Sequence, residues 1–168
     1  FFPGQYLDLT VPGTDESRSF SMANTPGREG IFEFVIKVYT DGLFSELLAK
    51  KLEIGDRLEV EGPFGTFTLR ESRTSPIVFL GGGAGMAPVL GLLRSMAERG
   101  VEREAVFYYG ARGQRDLCFE EELRSLESKM PGFRYVPALS EPAADDEWAG
   151  EVGLITEVLK RCEPDLSG

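Results

Sequence analysis

Residues 76–88, Pro-Ile-Val-Phe-Leu-Gly-Gly-Gly-Ala-Gly-Met-Ala-Pro, constrain the fold of this chain more than any other segment. An apolar run ends in the glycine-rich stretch 81–85, and an apolar segment with Pro88 near its start follows. This order predicts a strand, a tight turn and a helix, because proline is tolerated in a first helical turn. Glycines at the positive end of a helix let backbone N–H groups approach a phosphate. The alternative is a glycine-rich turn that binds no ligand.

The second half of the chain alternates between strand patterns and helix patterns. Short apolar runs are each followed by a longer segment with helical periodicity, and the three predicted pairs are 76–80 with 87–99, 105–109 with 116–130, and 133–139 with 154–162. Such alternation predicts a parallel sheet with right-handed crossovers. Asp116 is predicted to be the N-cap of the middle helix. We assign this domain to residues 73–168.

The first half of the chain carries the pattern of a small antiparallel barrel. Short alternating segments separated by proline and glycine predict strands at 5–11, 19–23, 31–39, 57–61 and 66–69, with a short helix at 45–52. Ser45 is predicted to be the N-cap of that helix. The polar stretch 70–75 is interpreted as a linker, so the first domain covers residues 1–72.

Charge and composition exclude several classes of function. A net charge of −10 argues against nucleic-acid binding, which needs clustered basic residues. Histidine is absent, which excludes histidine catalysis and nearly all zinc or non-haem iron sites. Cys118 and Cys162 are too few to hold an iron–sulfur cluster, and we interpret both as buried thiols of a cytoplasmic protein. No run of about 18 apolar residues predicts a membrane span.

Four short motifs occur in the order found in one known family. They are Arg18-Ser-Phe-Ser-Met-Ala-Asn24, Gly62-Pro-Phe-Gly-Thr-Phe67, Tyr109-Gly-Ala-Arg112 and Leu139-Ser-Glu-Pro142. With these motifs and the glycine turn, the chain resembles the ferredoxin–NADP⁺ reductase superfamily, and within it the reductase components of soluble di-iron monooxygenases. The resemblance implies an antiparallel six-stranded FAD-binding barrel, with its N-terminal strands missing, followed by a parallel-sheet NAD-binding domain whose last strand is missing.

The resemblance also implies where FAD binds in the barrel. Arg18 would bind the FAD pyrophosphate, Phe20 would lie against the flavin ring, and Ser21 would act as the catalytic group by placing its hydroxyl near flavin N5. The N-terminus of the predicted 45–52 helix would face the FAD phosphates. The other implied FAD-binding residues are Ser19, Ile36, Lys37, Val38, Gly42, Phe44 and Ser45.

In the second domain the resemblance implies a site for a nicotinamide dinucleotide. Ser140 and Glu141 would lie near the nicotinamide ribose. Arg112 leaves two hypotheses open, since it could accommodate the 2′-phosphate of NADPH or pair with Asp116. The resembling reductases use NADH, which we therefore expect in preference to NADPH. The pyrophosphate would be held by the glycine turn, that is by Gly81, Gly82, Gly83, Ala84, Gly85 and Met86.

The activity implied by the resemblance is electron transfer from NADH through FAD to an iron–sulfur centre that serves a multicomponent oxygenase. The family's Cys-Gly-Pro-Pro motif and its four-cysteine segment are not present in the chain. We therefore expect the chain to be part of a longer reductase, with the [2Fe–2S] cluster outside it on a ferredoxin-like domain or protein. The oxygenase component would be the further partner. The alternatives are the flavin subunit of an NADH:quinone reductase and a catalytically inactive nucleotide-binding module.

Overall fold

The computed structural model describes residues 1–27, 30–39, 42–50, 52–144, 147–163 and 165, which form two adjoining sheets and four α-helices. The first half contains β1 (Tyr6–Thr10), β2 (Ser17–Ser21), α1 (Leu43–Lys50) and β3 (Glu59–Phe64). The second half contains β4 (Ile77–Gly82), α2 (Ala87–Glu98), β5 (Ala105–Ala111), α3 (Glu120–Lys129), β6 (Phe133–Leu139), β7 (Glu151–Val152) and α4 (Ile155–Cys162).

The antiparallel sheet of the first half has the strand order β2-β1-β3. In β1, Leu7 and Leu9 are buried, because alternate side chains of a strand point to the same face. Phe20 of β2 lies opposite Leu7, and Phe44 of α1 and Met22 complete this core. The strands predicted at 5–11 and 19–23 are therefore confirmed to within two residues at each end.

The strand predicted at 31–39 is wrong, and the six-stranded barrel is not confirmed. In the described part of the first half, three strands pair, and one isolated bridge joins Met22 to Phe34. The reason is the buried side chain of Asn24, whose Oδ1 accepts a hydrogen bond from Glu33 N–H at 2.8 Å. A side-chain amide thus satisfies backbone groups that a strand ladder would otherwise pair.

The remaining predictions for the first half are confirmed in part. The strand expected at 57–61 forms as β3, shifted by two or three residues. No strand forms at 66–69, where the N–H of Thr68 bonds to the carbonyl of Thr66 in a local turn. The helix expected at 45–52 forms as α1, and residue 51 of the expected range lies outside the described residues.

The parallel sheet predicted for the second half is confirmed, with the strand order β4-β5-β6-β7. Helices α2 and α3 cover one face, where Phe107 of β5 and Leu90 of α2 belong to the same core. Helix α4 covers the other face, where Val158 packs with Val106 and Tyr108. Short apolar runs specify such strands because both of their faces are buried.

Helix α3 begins later than its sequence pattern predicts, and Asp116 is not its N-cap. The helix starts at Glu120, and the residue before it, Phe119, has the left-handed backbone angle φ of +59°. Asp116 instead closes a separate turn, in which its carboxylate accepts a hydrogen bond from Gly113 N–H at 3.2 Å. The apolar stripe of α3 therefore begins after this turn.

The two cysteines differ in exposure, and both are free thiols. Cys162 is half-buried, but Cys118 is exposed, so the interpretation of both as buried is wrong for Cys118. Cys118 lies before α3, outside the buried face of that helix, which explains the difference. Within the described residues, the helices are too short or too polar for any of them to span a membrane.

Arg94 of α2 joins the two halves. Its guanidinium binds both carboxylate oxygens of Glu122 on α3, at 2.6 and 2.8 Å. It also donates to the carboxylate of Glu33 at 2.8 Å and to the carbonyl of Ala23 at 2.9 Å, both in the first half. The hydrogen bond to Glu122 is the largest cause that raises the pKa of Arg94 above its ordinary value, and Glu33 adds to it.

We expect the substitution Arg94→Met to lower the free energy of unfolding by about 2–4 kcal/mol, because two part-buried carboxylates lose their partner. Urea unfolding of the wild type and the variant measures this change. Arg99→Ala is the matched control, since Arg99 pairs with Glu71 on the solvent-exposed surface. This substitution should lower the free energy of unfolding by about 0–1 kcal/mol. Equal losses for the two variants would contradict the assignment of Arg94 as the main link.

Candidate functional site

The glycine turn lies at the C-terminal edge of the parallel sheet, where ligands of open α/β sheets bind. Strand β4 ends at Gly82, Gly83–Met86 form a short 3₁₀ turn, and Pro88 is the second residue of α2. Gly83 has a φ of +51°, a backbone conformation that favours glycine. The predicted strand, turn and helix are confirmed, and the first N–H groups of this helical segment are available to a ligand.

The glycines of this turn have two kinds of surroundings. A Cβ atom at Gly81 would lie 3.2 Å from the ring of Phe107, and one at Gly82 would lie 3.5 Å from a neighbouring carbonyl oxygen. A Cβ atom at Gly83 or Gly85 would meet no atom within 4 Å. The first pair serves close packing, whereas the second pair leaves bare backbone beside open space. This open backbone fits a pyrophosphate group.

The two other residues predicted for the turn differ in what they can offer a ligand. Met86 is fully buried in the core of the second half, so only its backbone could contact a dinucleotide. Ala84 is half-buried in the turn and has only a small side chain. The turn can therefore bind a ligand mainly through backbone groups.

Arg112, Ser140 and Glu141 meet at the ends of β5 and β6. The N–H of Glu141 donates to the carbonyl of Arg112 at 2.8 Å, and the N–H of Ser140 donates to the carbonyl of Ala111 at 3.0 Å. The Arg112 guanidinium lies 3.5 Å from the Glu141 carboxylate, and both side chains are largely exposed. Arg112 thus pairs with Glu141, and the pairing with Asp116 that its sequence position allowed is not formed.

Two adjoining pockets open at this edge, with volumes of about 530 and 240 Å³. Both are lined by Arg112, Asp116 and Lys37, and the smaller one is also lined by Gly83 and Ser140. Lys37 belongs to the first half, so the two halves meet at the edge that carries the glycine turn. Four of the residues predicted for the two cofactors, Lys37, Gly83, Arg112 and Ser140, therefore line the smaller pocket.

A further pocket of about 530 Å³ lies at the opposite edge of the parallel sheet. It is lined by linker residues such as Arg73 and by Arg103, whose guanidinium donates to the carbonyl of Ser75 at 2.6 Å. We place the site at the C-terminal edge, because the glycine turn lies there and ligands of such sheets bind there.

The residues predicted for FAD on β2 lie side by side at one end of the antiparallel sheet. Arg18 is exposed and pairs with Glu16 at 3.1 Å. Ser19 donates a hydrogen bond to the carboxylate of Asp8 on the neighbouring strand. The ring of Phe20 packs against the apolar core, so its contact with a flavin would be through the part that stays exposed. Ser21 is half-buried at the end of the strand.

The start of α1 differs from its prediction. The helix begins at Leu43, so Ser45 lies inside it and is not its N-cap. The buried hydroxyl of Ser45 instead accepts a hydrogen bond from Tyr39 N–H at 2.9 Å, while the carbonyl of Gly42 accepts one from Glu46 N–H at 2.8 Å. Glu46 is exposed. Phe44 is buried in the core.

Residues 36–38, also predicted for FAD, form no strand. Ile36 is half-buried against the core of the first half, whereas Lys37 and Val38 are exposed. This segment leads directly to Tyr39, whose N–H is held by Ser45. The hydrogen bond therefore fixes the end of the segment next to the start of α1.

The sequence patterns did not identify two residues that position the site. Tyr109 is fully buried below the glycine turn, and its hydroxyl lies 3.2 Å from the carbonyl of Gly83. Arg94 holds α2 against the first half. Tyr109 belongs to the Tyr-Gly-Ala-Arg motif. The motif does not indicate the partner of its hydroxyl, which is 26 residues away in sequence. Arg94 carries no local signal at all.

Two protein-family profiles match the chain. The oxidoreductase FAD-binding domain matches residues 1–69, and the oxidoreductase NAD-binding domain matches residues 79–167. Together they cover both sheets described above. The first profile includes the strands that carry the predicted FAD residues, and the second includes the glycine turn.

Curated relatives include reductase components of monooxygenases. The reductase component of propane 2-monooxygenase from Rhodococcus jostii is 47% identical over 169 residues, which cover 99% of this chain and 46% of the relative. The reductase component of phenol 2-monooxygenase from Pseudomonas sp. strain CF600 is 34% identical, and the match covers 95% of this chain and 45% of the relative. The chain thus spans about half the length of the curated relatives that it matches.

Solved structures show the same arrangement. A cytochrome P450 reductase from Amycolatopsis has a TM-score of 0.89 at 34% identity, and the match covers 98% of this chain and 50% of that one. The ferredoxin reductase of a carbazole 1,9a-dioxygenase has a TM-score of 0.82 at 29% identity, with 96% and 48% covered. From its residues, its fold and these relatives, the chain belongs to the ferredoxin-reductase-like oxidoreductases, which join an FAD-binding domain to an NAD-binding domain.

Proposed function

We propose that this chain is the flavin- and nicotinamide-binding part of a reductase that passes electrons from NADH through FAD to an iron–sulfur centre serving a multicomponent oxygenase. The observation that carries the proposal is the meeting of the two halves at one edge, where Lys37 and Gly83 line the same pocket. If each half binds one cofactor, the two cofactors would meet at this edge. The similarity to reductase components of propane and phenol monooxygenases supports this choice of acceptor.

The residues of the first half fit the binding of FAD, which supplies the capacity to take up a hydride and to release electrons singly. The exposed pair of Arg18 with Glu16 contributes little to stability, so the guanidinium is available for a pyrophosphate. Ser21 would hold its hydroxyl beside the flavin ring. No side chain needs to act as a general acid or base, which is compatible with a chain that contains no histidine.

We propose NADH as the electron donor, in preference to NADPH. Arg112 is the residue at the end of β5 that could bind a 2′-phosphate, but it pairs with the carboxylate of Glu141. Asp116 lines the same pocket and adds a second carboxylate. The 2′-hydroxyl of a ribose can donate a hydrogen bond to either carboxylate, and the match of residues 79–167 to an NAD-binding domain supports NADH.

We propose that the electron acceptor is a [2Fe–2S] cluster on a ferredoxin-like domain or protein, which then delivers electrons to an oxygenase component. In the described ranges, no group of three or more His, Cys, Asp or Glu side chains could hold a metal ion. The cluster would therefore be held outside these ranges. We place this NADH-consuming reaction in the cytoplasm.

The proposed function is tested by mixing the complete, purified protein, loaded with FAD, with NADH in the absence of oxygen. We expect the yellow flavin absorption to bleach. NADPH at the same concentration should bleach it more than about tenfold more slowly, which corresponds to a free-energy difference of more than about 1.4 kcal/mol between the two donors. A protein that binds no FAD, or that stays yellow with NADH, would show that the proposal is wrong.

We expect Arg18→Ala to weaken FAD binding by about 10- to 100-fold, because a charge-assisted hydrogen bond contributes about 1.5–3 kcal/mol. Fluorescence titration of the apoprotein with FAD measures the dissociation constant. Arg57→Ala is the control, since Arg57 is an exposed arginine of the same half outside the candidate site. If Arg18→Ala binds FAD as tightly as the wild type does, the role assigned to Arg18 is wrong.

We expect Gly85→Ala to raise the dissociation constant of NAD⁺ by more than about tenfold, because its Cβ would enter the open space at the turn. Nothing lies within 4 Å of that Cβ, so the free energy of unfolding should change by less than about 0.5 kcal/mol. Isothermal titration with NAD⁺ measures binding. Gly27→Ala, in an exposed turn of the first half, should bind NAD⁺ normally. Unchanged affinity in Gly85→Ala would place the pyrophosphate elsewhere.

A further inference from the structure

The hydroxyl of Tyr109 links the glycine turn to the loop that follows β5. It donates a hydrogen bond to the carbonyl of Gly83 at 3.2 Å and accepts one from the N–H of Cys118 at 3.4 Å. The ring is fully buried and stacks on Phe107, with the ring centroids 5.5 Å apart. Two of the segments that line the pockets at the edge of the sheet, the glycine turn and the loop after β5, are therefore bonded to one buried side chain.

The hydrogen bond from Tyr109 fixes the direction of one peptide group in the turn. The peptide bond between Gly83 and Ala84 is trans and planar, so its C=O and N–H point in opposite directions. Because the carbonyl of Gly83 points inward to Tyr109, the N–H of Ala84 points away from the core. Gly83 and Gly85, the residues on either side of Ala84, have no atom within 4 Å of the position of a Cβ.

The Tyr109 hydroxyl remains a donor at every pH at which a protein of this kind works. Burial raises the pKa of Tyr109 to about 12, against an ordinary value of 10.0. The hydroxyl therefore keeps its proton below that pH, and the carbonyl of Gly83 keeps its partner. A phenylalanine at this position would remove that hydrogen bond, and the Gly83 carbonyl would then be held only by the bonding of the 3₁₀ turn itself.

We propose that Tyr109 is a positioning residue for the dinucleotide: its hydroxyl orients the Ala84 N–H toward the pyrophosphate of NAD(H). The inference rests on the proposed function, because it assumes that the turn binds that pyrophosphate. The tyrosine itself does not contact the dinucleotide. It acts through the backbone of the turn, and through Cys118 it holds the following loop in the same arrangement.

The neighbouring residue Tyr108 provides a matched control. It is also fully buried on β5, but it faces the opposite side of the sheet. Its hydroxyl lies 2.8 Å from the carboxylate of Glu163 and 3.3 Å from the guanidinium of Arg134. Tyr108→Phe thus removes a buried, hydrogen-bonded hydroxyl from the same strand without touching the glycine turn.

The test compares Tyr109→Phe with Tyr108→Phe in the complete, FAD-loaded protein. We expect Tyr109→Phe to weaken NAD⁺ binding about tenfold by isothermal titration and to raise KM for NADH similarly, with kcat nearly unchanged. Tyr108→Phe should bind NAD⁺ as the wild type does. FAD binding should be normal in both. Equal NAD⁺ affinity in Tyr109→Phe and the wild type would overturn the proposal, as would equal weakening in both variants.

A second measurement needs no variant. Amide hydrogen exchange in the wild type should slow at Ala84 when NAD⁺ is added, because the N–H becomes bound. Exchange at Ala84 that NAD⁺ does not change would overturn the role of Tyr109, even where other amides of the turn become protected. A wild type that binds no NAD⁺ at all would instead overturn the proposed function, so the two failures are distinguishable.

Discussion

The placement of the two halves relative to each other depends on the guanidinium of Arg94. It lies on α2, the helix that starts at the glycine turn, and it binds Glu33 of the first half and Glu122 of α3. On the same helix, a Cβ at Gly91 would lie only 3.0 Å from the carbonyl of Met22, so the first half packs directly against bare helix backbone. Any shift of the first half would therefore also move the helix that follows the glycine turn.

This close packing explains why the predicted FAD and NAD residues meet in one pocket. Lys37 belongs to the same chain segment that Arg94 holds through Glu33. The link is part-buried and has several hydrogen bonds, so its strength does not depend on a single exposed ion pair. A two-domain oxidoreductase needs such a contact, because electrons can pass only if both cofactors keep a fixed separation.

The second half could be predicted well from the sequence because its signals are local. Parallel strands are buried on both faces, so β5 and β6 appear as continuous apolar runs, and glycine and proline mark the turn that opens α2. The first half could not be predicted as well, because side-chain groups, and not strand partners, satisfy part of its backbone. Asn24 replaces a strand partner for Glu33, and Ser45 bonds to Tyr39 and does not cap α1. No local pattern encodes those partners.

In the candidate site, too, the sequence does not indicate the hydrogen-bond partners of single residues. As neighbours in a strand, Tyr108 and Tyr109 point to opposite faces of the sheet. The sequence does not indicate that one hydroxyl meets a carboxylate near the end of α4 while the other meets a carbonyl of the glycine turn. Two adjacent, identical and equally buried side chains thus have different hydrogen-bond partners because different elements pack against the two faces of the sheet. A buried side chain of the hydrophobic core can therefore hold the backbone of a turn at the edge of the sheet.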